Sequence, residues 1–569
     1  MKLDSLGQER IKMLICIFLL FSAGLSIFSY TVEIREPWFG ELSANHHQWL
    51  TGSTGIYATN WYEEGPLNLK FAMLDNPKSI EFQNISSRTP YTSYPPGTII
   101  PIYLFSELTS HKPTVAMIME YNLLNHFLIA FILGLTIFFF LRQLKIDMVN
   151  SFLFSLIPII LELLLPAPLY WFQNVFFSDQ AIILPFVLYI FLEVLRDGIY
   201  GKNLRILNII QNLVLFYGFL TDWLFVFLAL TVYIKRVVDG EIVLNRQLSY
   251  ANLHSFLMSS LKYWLVPIIA VSLFLLQVFV LGETGNTVSR FLFRSGLSQI
   301  GIENLYGGFN TLFGFFITGY GAIGLFLLLV SIGICIYISF LLISKSYKKK
   351  SHKVVKLKKI FYLIGLFIIP CVLQVFFFFN HTIWHDFSVL KFSVAISTVP
   401  LVLLPVMIFL LTENSMGEGF KSRFTSIFNL FQRFQVNPRL FIIFLLAFSA
   451  TLGYVTYEFP NYSKLFPEPN DNYEVIGSTI QNNTVYNDIV FSPDFEIPVN
   501  PPQQLFYSMK RVYQINSIED IKNKVNGLNN YNIVIIFVDP PSSYWKKVLV
   551  NSTHVTNGFN YYYVNPKNI

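Results

Sequence analysis

The chain has 569 residues, of which 53% are hydrophobic, 17% aromatic and only 13% charged. Those proportions exclude an ordinary water-soluble globular protein and describe a polytopic membrane chain. The net charge of +6 is not a nucleic-acid signature, because the basic residues cluster between apolar runs. All three cysteines, Cys16, Cys335 and Cys371, fall in apolar segments, so no disulfide framework is expected.

Residues 13–30 form an apolar run behind Lys2, Arg10 and Lys12. A signal peptide shares that charge pattern, but no small-x-small cleavage site follows, so a retained first helix is expected. Crossing roughly 30 Å of hydrocarbon takes about 20 apolar residues. On that basis eleven spans are predicted at 12–30, 115–141, 150–168, 180–196, 205–221, 223–235, 263–282, 320–344, 360–379, 389–412 and 439–457. The fifth and sixth meet at Thr221-Asp222-Trp223 with almost no loop, so they form either a tight hairpin or one broken element. The predicted fold class is mainly α: a polytopic helix bundle, residues 1–457, followed by a small external α/β domain, residues 458–569.

Orientation follows from the excess of Lys and Arg in cytoplasmic loops. Arg142 and Lys145, Arg196 and Lys202, Lys235 and Arg236, and the basic run at 345–359 all fall on one side. That side is predicted to be cytoplasmic, with the N-terminus, in a cell membrane. The block Lys348-Lys349-Lys350 could bind anionic lipid headgroups or simply anchor the topology. Segments 31–114, 169–179, 283–319, 380–388 and 458–569 are then external. Five N-x-S/T sequons, at Asn84, Asn380, Asn461, Asn482 and Asn551, share that side.

The C-terminal segment changes character after Pro460. Strands are predicted at 475–480, 488–492, 511–515 and 531–539, with a helix over 517–528 capped by Ser517 and carrying Asp520 in its first turn. No glycine-rich phosphate loop accompanies this rhythm, so no nucleotide is assigned.

The chemistry-bearing residues gather at the external boundaries. In the long first loop, Glu36, Glu41, His46, His47 and Gln48 stand close together, followed by Trp49, Trp61, Glu63 and Glu64. A boundary carboxylate can take a proton from a hydroxyl, and two histidines can bind phosphate. Their consecutive spacing is not that of two metal ligands on one helical face. The same groups could cap helices or meet lipid headgroups instead. Tyr94-Pro95-Pro96-Gly97 fixes the backbone where the loop enters the next helix, either as a plain turn or as part of a site.

Asp179 and Asp222 adjoin apolar helices, where an unpaired ionised group is costly. Asp179 could equally cap the fourth span. His381 and His385 are four residues apart, with Asp386 beside them and Lys391 one turn onward. They could hold a phosphate or orient a sugar, although a boundary lysine can also snorkel to water. Arg290 and Arg294 oppose the positive-inside bias and are further phosphate candidates.

Together these features resemble the polytopic C-type glycosyltransferases, in particular the protein O-mannosyltransferase and lipid A aminoarabinose transferase branch. The resemblance runs from His46-His47-Gln48-Trp49 through Asn60-Trp61-Tyr62-Glu63-Glu64-Gly65 to Tyr91–Pro96, whose Tyr-Pro-Pro leads into the second span. It continues in His385-Asp386-Phe387 and the external α/β tail. It implies a polyprenyl-phosphate-linked sugar as donor, a protein, lipid or glycan hydroxyl as acceptor, and an acid in the first loop as base. The sequence departs from the pattern in having Gln48, which cannot act as a base, near the position expected for that acid. Either Glu41 or Glu36 would then supply the carboxylate; Glu41 is taken as the base, with Asp222 as a second catalytic carboxylate. His46, His47, Gln48, Tyr94, Asp179, Arg290, Arg294, His381, His385, Asp386 and Lys391 would bind substrate. A divalent metal is compatible with such a pocket, but no residue pattern calls for one. The competing classes are a lipid or glycan transporter, for which Glu162, Glu193, Asn122 and Asn125 would line a path, and a membrane scaffold.

Overall fold

The computed structural model describes residues 2–44, 46–198, 201–242, 250–296, 302–343, 352–412, 436–466, 472–497 and 500–566. Among them, eight helices are long and apolar enough to cross a membrane. These are Gly7–Trp38, Val115–Gln143, Ser178–Arg196, Leu253–Val280, Gly307–Phe340, Val354–Phe377, Asp386–Thr412 and Pro438–Lys464. A ninth arises if Met148–Leu164 and Pro166–Asn174, bent by 58°, count as one span. The bend falls where Pro166 and Pro168 remove backbone donors and crowd the preceding turn.

The remaining two expected spans are the helices Lys202–Phe219 and Leu224–Val238. The second has 15 residues, fewer than a bilayer crossing needs. The first carries Lys202, Asn203, Arg205 and Asn208 in its opening turns. They form a hairpin closed by contact of Gly218 with Phe225, since a Cβ on Gly218 would overlap that ring.

The basic loops gather at one end of the bundle. Buried Glu193 is held by Lys235 at 3.2 Å, Arg236 at 2.8 Å and Gln211 at 3.0 Å. Asp197 meets Lys359 at 3.1 Å, and Arg142 meets Glu9 at 2.7 Å. The block at 348–350 lies outside the described residues. Within the bundle, Glu162 accepts from Ser393 and Ser397, each at 2.9 Å. Asn122 donates to the carbonyls of Trp171 and Val175, each at 2.9 Å. These buried polar groups close helix contacts, as buried polar atoms generally must.

The other end carries the first loop and the C-terminal sheet. The loop folds into the helix Trp49–Glu64, a two-stranded ribbon of β1 (Met73–Leu74) and β2 (Pro90–Tyr91), and the helix Ile99–Thr109. The sheet contains β3 (Asp488–Ser492), β4 (Val512–Gln514), β5 (Asn532–Phe537), β6 (Thr553–Asn557) and β7 (Phe559–Val564), in the order β4-β3-β5-β7-β6. The first three are parallel, and β7 runs antiparallel to β5 with Ile535 opposite Tyr562. Ile489, Phe491, Ile533 and Ile535 face one core, and Val490, Val534 and Ile536 the other. Burial on both faces is why β5 reads as an unbroken apolar run.

One expected strand is a helix: residues 475–480 lie in Tyr473–Asn482. Ile476 and Ile480, one turn apart, bury onto the sheet core, a helical spacing that outweighs the β-branched composition. The helix Ile518–Val525 carries the expected capping box, with the Asp520 N–H donating to Ser517. The β6–β7 hairpin turns at Asn557-Gly558, where Gly558 has φ +73°, a dipeptide suited to such a turn.

Sheet and loop are locked through the Trp49–Glu64 helix, which packs on the helix Pro502–Ser508. A Cβ on Gly52 would lie 2.7 Å from the Pro502 carbonyl, and one on Gly55 would lie 2.6 Å from the Phe506 ring. Gln503 Nε2 donates to the Ser43 carbonyl at 2.9 Å, and Tyr486 Oη to that of Ser79 at 3.2 Å. Gly52→Val or Gly55→Val is expected to cost about 1–3 kcal/mol by overpacking. Limited proteolysis should then release the C-terminal segment faster than from the wild type while the helix bundle stays intact.

Candidate functional site

The Tyr94-Pro95-Pro96-Gly97 turn positions the centre of the site. The Gly97 N–H donates to the Leu220 carbonyl at 2.6 Å, and a Cβ at Gly97 would overlap that carbonyl. Trp223 Nε1 donates to the Ser93 carbonyl at 3.3 Å. The rigid turn thus clamps the tip of the 202–238 hairpin and sets Asp222 next to Tyr94.

Asp222 belongs to a buried ion cluster. Lys391 Nζ lies 2.6 Å from Asp179 Oδ1 and 3.4 Å from Asp222 Oδ1. All three side chains are at most 3% exposed. Gln374 Nε2 donates to Asp222 Oδ1 at 2.9 Å, and the Leu224 N–H does so at 2.7 Å. Asp179 is therefore an ion-pair partner; the turn it occupies is capped by Gln180, which accepts from the Phe177 N–H at 3.2 Å. Lys391 does not snorkel. Its backbone lies in a tight 3₁₀ segment, Asp386–Phe392, anchored where Tyr320 Oη donates to the Val389 carbonyl at 3.2 Å and Cys371 Sγ to that of Lys391.

A histidine and arginine layer adjoins this cluster. Tyr94 Oη lies 3.2 Å from His381 Nε2, and the His381 and His385 ring centres are 4.6 Å apart. The helix Phe379–Trp384 ends before His385, which is extended at φ −135°. The two rings meet across a helix end and do not share a helical face. Arg294 lies over the Tyr94 ring at 4.5 Å and donates to Tyr91 Oη at 3.1 Å, while Arg290 sits 5.8 Å from the Tyr91 ring centre. Arg294 Nη1 and His385 Nδ1 are buried and have no hydrogen-bond partner among the described residues. Burial lowers the His385 pKa to about 4, with the neighbouring His47 and Arg294 charges acting the same way and Asp179 and Asp386 opposing. Burial likewise holds His381 well below the ordinary imidazole range, reinforced by Arg294.

The His-His segment forms one wall. His46 and His47 have left-handed φ of +40° and +62°, an uncommon pair of backbone states for non-glycine residues. His47 Nε2 lies 3.2 Å from Asp386 Oδ1, and the His47 ring packs edge-on to Phe387. Trp49 Nε1 donates to His47 Nδ1 at 3.3 Å, which leaves Nε2 to carry the proton toward Asp386. His46 is exposed and packs its ring on Tyr170. Gln48 is buried; it accepts from the Ser43 N–H and donates to Asn174 Oδ1, so its amide is used within the protein.

Glu41 is exposed, and its charge acts on Glu474 and Tyr507 at the C-terminal domain. The structure thus brings Tyr94, Asp179, Asp222, Arg294, His381, His385 and Lys391 together, with His47 and Asp386 beside them, and leaves Glu41 apart. Sequence reasoning did not single out Gln374, and Tyr91 entered it only as the first residue of the Tyr91–Pro96 stretch. Gln374 lies inside an apolar span, and only its polarity at that depth marks it.

An apolar groove of about 530 Å³ runs alongside, lined by Trp223, Trp264, Phe291, Phe377 and Phe378 among others. Trp223 follows Asp222 directly, and the helix Thr284–Ser295 supplies both Phe291 to the groove and Arg294 to the polar layer. No group of three or more His, Cys, Asp or Glu side chains among the described residues has a metal-binding arrangement. The Lys391 ammonium already stands between the two buried aspartates, so the residues present do not fit a metal there.

The chain is similar to the solved structure of ArnT from Cupriavidus metallidurans bound to undecaprenyl phosphate. Identity is 10% over 97% of this chain and 98% of that one, with a TM-score of 0.50. It is also similar to the apo oligosaccharyltransferase of Archaeoglobus fulgidus, at 11% identity over 90% and 69% of the two chains and a TM-score of 0.51. No protein-family model and no curated protein sequence matches.

Lys391→Met would leave two buried carboxylates uncompensated and is expected to cost about 3–5 kcal/mol, read as a lower unfolding midpoint in detergent. The lowered folded pKa of His385 means that its contribution to stability is complete above pH 6.5 and is lost as pH falls from 6.5 toward about 4. A His381→Gln/His385→Gln variant should show a flatter loss of thermal stability across that window than the wild type.

Proposed function

We propose that this chain, which has the fold of the polytopic C-type glycosyltransferases, is a membrane glycosyltransferase. It would move a sugar from a polyprenyl-phosphate donor to an acceptor hydroxyl on the outer side of the cell membrane. The observation that carries this reading is the apolar groove beside a buried, unpaired Arg294 Nη1 and His385 Nδ1. An isoprenoid tail fits the first feature and a phosphate the second.

In the proposed reaction the acceptor oxygen attacks the anomeric carbon from the face opposite the phosphate. The sugar–phosphate C–O bond breaks, and the polyprenyl phosphate departs with the bonding pair. Arg294 and an N–H on His385 Nδ1, with Arg290 beyond them, take up its charge where water is excluded, which makes each contact worth more than in bulk solvent. Asp386 receives the acceptor proton. It is the most accessible carboxylate of the cluster, 23% exposed, and His47 fixes its orientation. Asp179, Lys391 and Asp222 form the rigid charge frame beneath, and the Trp223–Ser93 hydrogen bond joins the residues next to Asp222 and Tyr94.

Proteoliposomes containing the wild type should consume radiolabelled undecaprenyl-phosphate hexose or pentose. Asp386→Asn and Arg294→Ala should each lower the rate by roughly 100-fold or more, the scale of losing a general base or an electrostatic stabiliser. Glu41→Gln should change it only a few-fold by the same reasoning. No consumption of any donor by the wild type would overturn the transferase reading. Loss of turnover in Glu41→Gln but not in Asp386→Asn would return the base to Glu41.

A further inference from the structure

A second cavity, of about 250 Å³, lies where the first loop meets the C-terminal domain. Its walls come from the Trp49–Glu64 helix, the segment around the β1–β2 ribbon and residues 500–511. Two opposite charges face it: the Asp75 carboxylate and the Arg511 guanidinium. Tyr57 Oη donates to Asp75 Oδ1 at 2.6 Å, and a carboxylate has further acceptor positions free for a hydroxyl. Arg511 Nε is buried and has no hydrogen-bond partner among the described residues, although its guanidinium sits 5.8 Å from the Phe82 ring centre. Burial raises the Asp75 pKa, and the Tyr57 hydrogen bond, Arg290 and Arg511 draw it back down.

The cavity and the polar layer share a wall. The Tyr57 and Tyr91 rings stack at 6.1 Å, and Tyr91 Oη is the acceptor for Arg294. At 250 Å³ the space is below the range of about 300–1,000 Å³ that suits drug-sized ligands, so it admits one ring and not a lipid or a folded segment. An anion would face Asp75, and an ammonium would face Arg511. A neutral polyol avoids both conflicts, because its hydroxyls donate to the carboxylate and accept from the guanidinium.

We infer that the cavity formed by Asp75, Tyr57 and Arg511 is a binding subsite for a neutral sugar ring, and that this ring belongs to the acceptor. Its assignment to the acceptor rests on the transferase reading; the binding of a neutral sugar does not. The proposal narrows the acceptor from any hydroxyl-bearing molecule to a glycan or glycoconjugate.

The test is saturation-transfer NMR on the full-length protein in detergent, with glucose, galactose, mannose and N-acetylglucosamine as separate probes. At least one sugar should receive saturation from the wild type. Asp75→Asn and Arg511→Leu should each reduce that signal at least five-fold while keeping the wild-type unfolding midpoint. Arg511 is only partly buried, so its replacement keeps the test valid if Asp75→Asn fails to fold. Asp386→Asn, predicted to stop donor consumption, should leave the sugar signal unchanged. Absence of saturation for all four sugars, or an equal signal in Arg511→Leu, overturns the proposal. A wild type that binds sugar at this subsite but consumes no donor would leave the subsite standing and remove the transferase.

Discussion

The ion cluster of Asp179, Lys391 and Asp222 is the constraint on which the rest of the site depends. Burying three charges among apolar helices is costly unless each meets a partner, and removing one exposes the others to that full cost. Lys391 satisfies both aspartates at once, which ties three separate parts of the chain to one point. Asp179 begins the span at Ser178, Asp222 tips the 202–238 hairpin, and Lys391 lies in the 3₁₀ turn that opens the span at Asp386. The geometry of every neighbouring group follows from that junction.

From the junction, backbone rigidity carries the arrangement outward. Two prolines and the close approach at Gly97 fix Tyr94 against the hairpin tip. Tyr94 in turn places His381 and supports Arg294. The Trp49–Glu64 helix is held on its other flank by Thr51 and Thr54, which donate to the carbonyls of Asn174 and Phe176. The loop is thus a structured lid whose polar underside meets the bundle and whose outer side carries the C-terminal sheet. An apolar groove and a desolvated cationic layer end up side by side, the combination a lipid phosphate requires.

Much of the fold was legible because hydrophobic length and period report directly on membrane helices and on the doubly buried strand β5. Of the eleven expected spans, eight, or nine with the bent pair, are long and apolar enough to cross on their own among the described residues; Lys202–Phe219 and Leu224–Val238 are short or polar-ended, yet their hairpin runs from Lys235 at the basic end to Asp222 at the site. The helix at 473–482 was misread because Val475, Ile476 and Ile480 favour strands by composition while their spacing serves a helix. At the site, polar residues at helix boundaries stood out individually. Their pairings did not, because Asp179, Asp222 and Lys391 are far apart in sequence and only folding sets their distances. Glu41 drew attention by proximity to His46 in sequence, yet its charge acts on Glu474 and Tyr507 and not on the buried cluster. Asp75 lies in a stretch with no motif, and only its cavity marks it.

The central claim is that the Arg294–His385 layer receives the phosphate of a membrane-held isoprenoid. The most direct measurement is an experimental structure of the protein in lipid nanodiscs saturated with undecaprenyl phosphate. The account predicts phosphate density within hydrogen-bonding distance of Arg294 and His385, with the isoprenoid tail along Trp223, Phe291 and Phe378. Phosphate bound instead at the basic end near Lys235 and Lys359, or no ordered lipid in the aromatic groove, would contradict it.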